Sequence, residues 1–432
     1  MSADDAVIWR AAGAPLTRGE FLREAAGIAT RLPRRAYLVN LCEQRENFLL
    51  AFAAARLANQ VQLMPAARGD AALAELNHDY PDSHAVRDDD LRRLRSGGPV
   101  AEPARELTPA DPESLVLVGF TSGSTGKSQP HAKRWRALEA SARLNAASMR
   151  EALGVPAQTP LSIIGTVPPH HMYGIEMTVL LPLFASMSVH AERPLFPADV
   201  AATLALPAGP RVLVSTPLHL RALAESGAAF PPLDLIVSAT APLDPALART
   251  VERTLGAPLL EMFGSTETCV FGTRRTAQQS EWRVYDGVEL TAEDGCTRVS
   301  APWYAQAQLL QDVLEKRGTQ GFVALGRNSD LVEVAGKRAS LADITRRLIA
   351  VPGVADAVAF QPDVAPAGVP NRVAAVVVSP GVTARQITEM LASELDAVFL
   401  PRPLVLVDRI PRDAVGKVSR AHLLELTRSE AG

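Results

Sequence analysis

The stretch "LVLVGFTSGSTGKS", residues 115–128, joins an apolar run directly to a loop of Gly, Ser, Thr and Lys. The apolar half predicts a buried strand. In the polar half, glycines let backbone N–H groups converge on an anion, and the hydroxyls and the lysine add further donors. We therefore predict a phosphate-binding loop at the end of a buried strand. A flexible Ser/Gly surface turn is the alternative interpretation.

The loop departs from the P-loop pattern of Gly, four residues and Gly-Lys-Ser/Thr. Gly126, Lys127 and Ser128 fit that pattern, but Thr121 occupies the position of its first glycine. The sequence also lacks a convincing strand that ends in a magnesium-binding aspartate. A P-loop kinase or NTPase is therefore disfavoured, and the loop alone leaves open which phosphate chemistry it serves.

The composition is that of an ordinary globular chain. Its 432 residues are 47% hydrophobic and 21% charged with a formal net charge of -3, which allows two or three domains and gives no reason to expect nucleic acid as a partner. Cys42, Cys269 and Cys296 lie far apart without metal-ligand spacing, so we expect reduced thiols. The first residues do not resemble a signal peptide, and the longest apolar stretch is too short for a bilayer. We therefore expect a soluble cytoplasmic protein.

Four apolar runs in the middle of the chain predict the buried strands of an α/β sheet with helices between them. These runs are "LSIIGTV" (161–167), "VLVSTP" (212–217), "LDLIVSAT" (233–240) and "PLLEMFGS" (258–265). Each ends in small or polar residues, and ligands of such sheets bind outside the carboxyl ends of the strands. The polar segment 88–114 is instead expected to be a surface connection.

The pattern changes close to residue 328, where we place a domain boundary between 1–328 and 329–432. The second part reads helix, strand, strand, helix, strand, helix, and Ser340, Thr383 and Ser419 stand where helices should begin. This order predicts a small α+β domain of about a hundred residues, which is enough to fold as a unit.

Four further motifs follow the loop in a fixed order: "PPHHMYG" (168–174), "FGSTET" (263–268), "LGRNSDLVEVAGKRASLADI" (325–344) and "PRDAVGKVSR" (411–420). The ordered set resembles the adenylate-forming superfamily of acyl-CoA synthetases, adenylation domains and luciferases. The resemblance implies a large N-terminal domain of layered α/β subdomains and a small, mobile α+β C-terminal domain. It also implies a reaction in which a carboxylate attacks the α-phosphate of ATP, pyrophosphate leaves and the acyl group passes to a thiol, with Mg²⁺ as cofactor.

The resemblance implies a role for each residue of the nucleotide site. Lys417 would bridge the carboxylate and the α-phosphate, Thr266 would contact the α-phosphate, and Glu267 would bind Mg²⁺. Asp312 would bind the ribose, although its surroundings also fit the surface of a helix, and Arg327 would reach ribose or phosphate. The remaining nucleotide-binding positions would be Thr121, Ser122, Gly123, Ser124, Thr125, Gly126, Lys127, Ala239, Thr240, Ala241, Phe263, Gly264 and Ser265.

Two positions depart from the superfamily pattern or extend it. Gln129 stands where the superfamily usually has a lysine, so Lys127 or Lys133 would supply that charge. Ser329 occupies the hinge position, and rotation there would bring Gly336 and Lys337 to a tunnel for the thiol arm.

The acid pocket is also predicted by the resemblance. His171 would gate its carboxylate end, and we prefer this role to metal binding because no Cys or carboxylate stands at ligand spacing. Its other lining residues would be Tyr173, Thr216, Ser238, Ala239 and Met262. The Met262 side chain should fill the deep end of the pocket and so favour a shorter acid.

A narrower resemblance rests on "FTSGSTGKSQPHAKRW" (120–135), "VPPHHMYGIEMTVLLPL" (167–183), "STPLHLRAL" (215–223) and "VAGKRASL" (334–341). These segments are similar to the AMP ligases of aryl polyene and xanthomonadin pigment biosynthesis. That resemblance implies a hydroxybenzoate-like acid and transfer to an acyl carrier protein. A synthetase for a fatty or other acid that uses coenzyme A is the first alternative. A non-catalytic nucleotide-binding relative is the second, and Glu267, Asp312 and Lys417 speak against it.

Overall fold

The computed structural model describes residues 6–9, 15–65, 67–97, 107–109, 111–122, 128–206, 209–293, 295–327, 331–334, 337–362, 372–392, 394–412 and 418–428. The chain divides into two compact units. The first consists of Met1–Val288 with Ser300–Gln308, and the second of Glu289–Val299 with Leu309–Gly432. The predicted boundary at residues 328 and 329 stays a prediction.

The first unit contains two sheets with helices packed on them. Its elements, in chain order, are β1 (Ala6–Trp9), β2 (Pro15–Thr17), α1 (Arg18–Ala29), β3 (Tyr37–Asn40), α2 (Arg45–Leu57), β4 (Val61–Met64), α3 (Asp70–Asp79), β5 (Ser83–Val86), α4 (Asp88–Arg95), β6 (Leu115–Ser122), β7 (Ser128–Arg134), α5 (Trp135–Leu153), β8 (Leu161–Gly165), α6 (Met172–Ile175), a π-helix (Glu176–Leu180), α7 (Leu181–Phe184), β9 (Met187–His190), α8 (Pro197–Leu204), β10 (Arg211–Ser215), α9 (Pro217–Glu225), β11 (Leu235–Ser238), α10 (Pro245–Leu255), β12 (Leu259–Ser265), β13 (Cys269–Arg274) and β14 (Trp282–Val284).

The larger sheet of this unit carries the four predicted strands β8, β10, β11 and β12. Its order is β14-β13-β12-β11-β10-β8-β9-β1-β2. The strands β12, β11, β10, β8 and β9 run parallel, whereas β13 pairs antiparallel with β12. The carboxyl ends of the parallel strands therefore meet at one edge, where their small and polar residues collect.

The core beneath this edge is apolar because the strands are buried on both faces. Ile164, Leu213, Ile236 and Leu259, one from each predicted strand, lie in a single buried cluster with residues of α8, α9 and α10. Each of the four side chains is completely buried. The continuous apolar runs in the sequence follow from this burial.

The smaller sheet has the order β5-β3-β4-β6-β7. Strands β5, β3, β4 and β6 are parallel, and β7 folds back antiparallel on β6. The quoted stretch thus forms β6, as predicted, and then returns along β7. Its loop residues 123–127 lie outside the described residues.

The prediction of a surface connection over 88–114 was wrong for its first part, which forms α4. Three aspartates occupy the first turn of α4 and arginines its last turns, which stabilises both ends of the helix dipole. Arg93 binds Asp90 one turn away, and Leu91 is completely buried. Only Leu91 and Leu94 are apolar among its eight residues, which is too short a pattern to indicate a helix within a polar segment.

The described part of the second unit contains two three-stranded sheets and two hairpins. Its elements are β15 (Glu289–Glu293), β16 (Cys296–Ser300), β17 (Gln308–Leu310), β18 (Asp312–Arg317), β19 (Gly321–Arg327), β20 (Leu331–Val334), β21 (Lys337–Ser340), α11 (Leu341–Ala350), β22 (Asp356–Phe360), β23 (Ala374–Val378), α12 (Ala384–Leu391), β24 (Leu404–Leu406) and α13 (Arg420–Arg428). The sheets are β15-β16-β17 and β22-β23-β24, and the hairpins are β18-β19 and β20-β21. From α11 onward, the predicted order of helices and strands is confirmed. The hairpin of β20 and β21 was not predicted.

Two of the three helix starts predicted in this unit, at Ser340 and Thr383, have side-chain caps. The Thr383 side chain accepts from the Gln386 N–H, and the Gln386 side chain returns a bond to the Thr383 backbone. The Ser340 side chain accepts from the Asp343 N–H. Helices α11 and α12 pack with β22 and β23 in one buried cluster, which gives this unit a core of its own. Among the helices that the structure describes, none combines the length and apolarity needed to cross a bilayer.

Candidate active site

The turn that follows β12, residues 265–270, is the centre of the candidate site, and we call it the Glu267 turn. It closes on itself because the Ser265 N–H donates to Thr268 Oγ1 at 3.2 Å and the Thr268 N–H donates to Ser265 Oγ at 3.3 Å. Cys269 has a φ of 60°, in the left-handed region. Gly264 just before the turn is required, because a Cβ there would lie 2.3 Å from the Cys269 carbonyl oxygen.

Three side chains from other elements hold the backbone of this turn. The Lys133 ammonium donates to the Glu267 carbonyl, and the Tyr304 hydroxyl donates to the Thr268 carbonyl at 2.6 Å. The Val270 N–H donates to Glu176 Oε2 at 3.0 Å. The shape of the turn is therefore fixed by β7, by the π-helix and by the segment after residue 300.

The Glu267 carboxylate is ionised at neutral pH. Burial alone would raise the pKa of Glu267, but a hydrogen bond from Ser265 and the charges of His131 and Lys133 outweigh it and leave the pKa below its ordinary value. The side chain is 29% exposed. A partly exposed, charged oxygen ligand fits a hard cation such as Mg²⁺, so the donor chemistry agrees with the predicted role.

One face of β7 is turned toward Glu267. Gln129, His131 and Lys133 alternate along the strand and therefore share that face. His131 Nε2 lies 2.9 Å from Thr121 Oγ1 and 3.8 Å from Glu267 Oε1. Burial lowers the pKa of His131, and its contact with Glu267 offsets this only in part. The His131 ring thus lies between the start of the phosphate loop and the proposed magnesium ligand.

Lys133 itself is only 4% exposed. Its ammonium donates to the Glu267 carbonyl. Of the two lysines that could replace the expected basic residue at Gln129, Lys133 is accordingly placed to support Glu267, whereas Lys127 lies outside the described residues.

Thr216 and Ser238, two residues predicted to line the acid pocket, lie at the carboxyl ends of β10 and β11. The Tyr173 hydroxyl donates to the Ser215 and Val237 carbonyls at 3.3 and 3.1 Å, which joins the ends of these strands. The Thr216 side chain caps α9 by accepting from the His219 N–H. Both hydroxyls therefore form hydrogen bonds within the protein. Ser238 is completely buried, and its Oγ has no hydrogen-bond partner within the described part of the chain.

The segment that carries His171 is shaped by two close contacts. A Cβ on Gly174 would lie 1.8 Å from the Pro168 carbonyl oxygen, so only glycine permits this fold of "PPHHMYG". The rings of His170 and His171 have centroids 4.7 Å apart. Burial, followed by the charges of Arg68, His171 and Arg193, lowers the pKa of His170 to about 3. Among the described residues, no group of three His, Cys, Asp or Glu side chains lies close enough together to hold a metal ion.

Arg45, at the start of α2, fixes the start of this segment. Its buried guanidinium donates to four carbonyl oxygens, those of Gly165 and Val167 after β8 and those of His190 and Glu192 after β9. Burial lowers the pKa of Arg45 to about 9. The sequence analysis missed this residue, because no local pattern connects a helix start to carbonyls more than a hundred residues away.

Comparison with known proteins identifies the family of this chain. The family model of the AMP-binding enzyme matches residues 31–293. The chain belongs to the AMP-binding enzyme family.

Relatives of this AMP-binding enzyme act on aromatic acids according to their names. The 4-coumarate–CoA ligase of Rhodobacter capsulatus is 32% identical over 58% of this chain and 61% of its own length. The 4-chlorobenzoate–CoA ligase of Pseudomonas sp. is 27% identical over 83% of this chain and 76% of its own. The family and these relatives define the chain as an AMP-forming acid–thiol ligase.

A solved structure supports the fold of the AMP-binding enzyme. The chain resembles ATP-bound MatB from Rhodopseudomonas palustris with a TM-score of 0.82 and 20% identity, covering 99% of this chain and 97% of that one. The predicted class, a large N-terminal α/β domain with a smaller C-terminal domain, is confirmed.

The structure brings part of the predicted nucleotide site together. Thr121, Thr266 and Glu267 belong to the first unit, where His131 joins the first and last of them. Thr240, in the predicted adenine loop with Ala239 and Ala241, has a φ of 82°, a strained value for a residue with a Cβ. Phe263 packs edge-on against Phe271 and Trp282.

Asp312 and Arg327 belong to the second unit. The alternative that Asp312 lies on a helix was wrong, because it begins the strand β18. The register of β18 with β19 pairs Asp312 directly with Arg327, so the two predicted ribose ligands are neighbours across one hairpin. The fifteen positions from Asp312 to Arg327 in the sequence therefore span the two strands and the turn of one hairpin.

Several predicted positions cannot be assigned from the structure. Gly123, Ser124, Thr125, Gly126, Lys127, Ser329, Gly336 and Lys417 lie outside the described residues. The backbones of Ser122, Arg327 and Lys337 are described as parts of strands. The roles of all these residues stay predictions.

Proposed function

We propose that this enzyme activates an aromatic carboxylic acid of hydroxybenzoate size with ATP. It then transfers the acyl group to the phosphopantetheine thiol of an acyl carrier protein. The observation that carries the proposal is the Glu267 turn: an ionised, partly exposed carboxylate on a backbone fixed by Lys133 at the end of a parallel strand. Such a group has the charge and rigidity needed to organise a triphosphate.

In the first half-reaction, an oxygen of the acid carboxylate attacks the α-phosphorus of ATP. The bond from that phosphorus to the bridging oxygen breaks, and pyrophosphate leaves with the electron pair. Mg²⁺ bound by Glu267 would supply positive charge against the phosphate oxygens. Thr121 and the loop after it would hold the outgoing phosphates, while Thr266 and Lys417 would contact the α-phosphate.

In the second half-reaction, the thiol sulfur attacks the acyl carbonyl, its proton is lost and AMP leaves. The same site must then release its contacts to the α-phosphate and admit the thiol. We infer that rotation near Ser329 exchanges Lys417 for the segment with Gly336 and Lys337. A glycine in that segment would let a pantetheine arm pass close to the backbone.

The acid would lie against the carboxyl ends of β10, β11 and β12. Tyr173 and Met262 are 8% and 3% exposed, so they would form a packed wall of fixed depth, with His171 at the carboxylate end. The Ser238 hydroxyl, buried without a protein partner, would accept or donate a bond to a polar substituent on the ring. These features favour a short hydroxylated aromatic acid over a long aliphatic one.

Coenzyme A is the competing acceptor, since both relatives above are named CoA ligases. The carrier protein is supported by the similarity of four segments to the AMP ligases of aryl polyene and xanthomonadin pigments. We place the reaction in the cytoplasm, where ATP and both thiol acceptors are found, and we assign it to a pigment pathway of that type.

Pyrophosphate release measured with benzoates, cinnamates and fatty acids tests the acid. We expect 4-hydroxybenzoate and its neighbours in size to give the highest kcat/KM. Strong turnover with long-chain acids alone would contradict the proposal. The Lys417→Ala variant should lose adenylation by about a hundredfold or more but still bind ATP, since we expect the first unit to hold the nucleotide.

The acceptor is tested by following thioester formation with a phosphopantetheinylated carrier protein and with coenzyme A. We expect a higher kcat/KM with the carrier protein, and a clear preference for coenzyme A would correct this part of the proposal. A proline at Ser329 should slow thioester formation more than adenylation. Equal loss in both half-reactions would argue against a hinge at that position.

A further inference from the structure

Glu176 is a buried carboxylate on the same helical segment as the proposed acid wall. Tyr173 lies in α6, which continues directly into the π-helix that begins at Glu176. Glu176 is 2% exposed, and burial raises its pKa. Single-turn π-helices occur frequently at functional sites, and here the irregular turn carries a polar side chain into the interior.

The far end of this side chain reaches the Glu267 turn. Glu176 Oε2 accepts the Val270 N–H at 3.0 Å, three residues after Glu267. Because Cys269 has a positive φ and its carbonyl closely approaches Gly264, Val270 cannot move without moving the turn. One side chain thus connects the acid segment to the proposed magnesium ligand.

The carboxylate is anchored by a third element, α5. The same Oε2 accepts from Ser141 Oγ at 2.5 Å and from Asn145 Nδ2 at 3.3 Å. The other end of the Asn145 amide is held by the Tyr285 hydroxyl, which donates to Asn145 Oδ1 at 2.8 Å. Since α5 is the longest helix described, spanning Trp135–Leu153, it fixes the carboxylate against a rigid body.

A solvent-excluded carboxylate is costly unless its hydrogen bonds are complete, and bonds to a charged oxygen are short and directional. Three donors from two elements, α5 and β13, converge on one oxygen here. A displacement of the acid segment by a fraction of an ångström would therefore change the geometry at Val270, because the carboxylate is buried and bulk solvent cannot replace a broken bond.

We propose that Glu176 is a positioning residue that couples the acid subsite to the Glu267 turn, so that binding of the aromatic acid strengthens binding of the magnesium–nucleotide complex. The proposal rests on the proposed function. Glu176 acts through the backbone of the turn and touches neither substrate. Two ligand sites are coupled when binding at one site changes the affinity at the other. A side chain that contacts both segments can transmit such a change.

The test measures the Kd of the magnesium complex of α,β-methylene-ATP by calorimetry, with and without 4-hydroxybenzoate. The methylene bridge prevents pyrophosphate from leaving, so binding is observed without turnover. In the unmodified protein we expect the acid to lower this Kd by about fivefold or more. Glu176→Leu should remove this effect and leave less than a twofold change.

Glu176→Gln is the conservative variant. Its amide oxygen can accept the bonds from Ser141, Asn145 and Val270, so most of the coupling should be retained. Ser141→Ala removes one donor without adding bulk and should give an intermediate coupling. If Glu176→Leu does not fold, unchanged coupling in Ser141→Ala overturns the proposal.

Glu252→Leu is the matched control. Glu252 also binds a strand amide, since its Oε1 accepts the Leu259 N–H at 2.6 Å, but at the opposite end of β12. It also pairs with Arg275. We expect this variant to lose stability and retain the coupling.

Equal loss of coupling in Glu252→Leu and Glu176→Leu would overturn the proposal, because the effect would then follow general stability. Full coupling in Glu176→Leu would overturn it directly. Absence of coupling in the unmodified protein would also overturn it, and pyrophosphate release would show separately whether the proposed function still holds.

Discussion

The two sides of the candidate site use their polar groups differently. On the nucleotide side, Lys133, Tyr304 and Glu176 hold the backbone of the Glu267 turn, and the carboxylate of Glu267 remains partly exposed. On the proposed acid side, Tyr173 and Thr216 use their hydroxyls to hold the protein's own strands and helix. The proposed nucleotide side thus offers a charged carboxylate on a rigid backbone, whereas the proposed acid side offers a packed surface of fixed shape.

The largest effect should come from removing the charge on the nucleotide side. Glu267→Gln retains the size of the side chain but removes the anionic ligand, so we expect adenylation to fall by about a hundredfold or more. The ratio of kcat/KM between two different acids should change by less than about twofold, because Glu267 is not part of the proposed acid wall. Adenylation measured across a range of Mg²⁺ concentrations checks this. A shift in acid preference would contradict the division into two sides.

Lys133→Met should give the next largest effect. It leaves the Glu267 carbonyl without its buried donor, so we expect adenylation to fall by about 10–100-fold, as for other residues that support a metal ligand. Urea unfolding should show a loss of about 1–3 kcal/mol. Arg136→Met, at an exposed neighbour on α5, is the control and should leave both values near those of the unmodified protein. Unaltered adenylation in Lys133→Met would show that the turn keeps its shape without this contact.

Met262→Ala tests the acid side by changing its depth. The side chain is 3% exposed, and its truncation should open space for a longer acid, so kcat/KM for cinnamates relative to benzoates should rise by about tenfold. Nucleotide affinity should stay the same. An equal change for all acids would indicate a loss of packing and not a change of pocket shape.

The smallest effect is expected for Ser238→Ala. Because the Ser238 hydroxyl has no hydrogen-bond partner among the described residues, its removal should cost the protein little stability. If it binds a ring hydroxyl, kcat/KM for 4-hydroxybenzoate should fall by about fivefold to tenfold, as for the loss of one hydrogen bond, whereas that for benzoate should not. A parallel decrease for both acids would remove Ser238 from substrate recognition.

Local patterns in the sequence predicted the elements but not the contacts between them. The strands β6, β8, β10, β11 and β12 followed from their apolar runs, and "FGSTET" marked the Glu267 turn. Lys133 lies 134 residues from Glu267, and Glu176 lies 94 residues from Val270. A local pattern carries no information about such pairs, since each depends on the register of whole sheets and helices.

Some of these contacts did leave a weak signal in the sequence. Lys133 breaks the apolar pattern expected of a strand beside β6, and with Gln129 and His131 it forms an alternating polar face. Glu176 is the one charged residue in the stretch from Met172 to Phe184. A charge inside an apolar run indicates either an error in the predicted element or a buried polar network, and both of these residues belong to such a network.

The four-carbonyl contact of Arg45 limits how this protein could be divided into modules. A fragment that began at residue 107 would retain the loop, the Glu267 turn and all the proposed acid wall, but it would lack the guanidinium that joins the carbonyls after β8 and β9. Those oxygens would then lose their buried donor at the base of the histidine segment. Recombination with a related ligase should therefore exchange α2 and the "PPHHMYG" segment together.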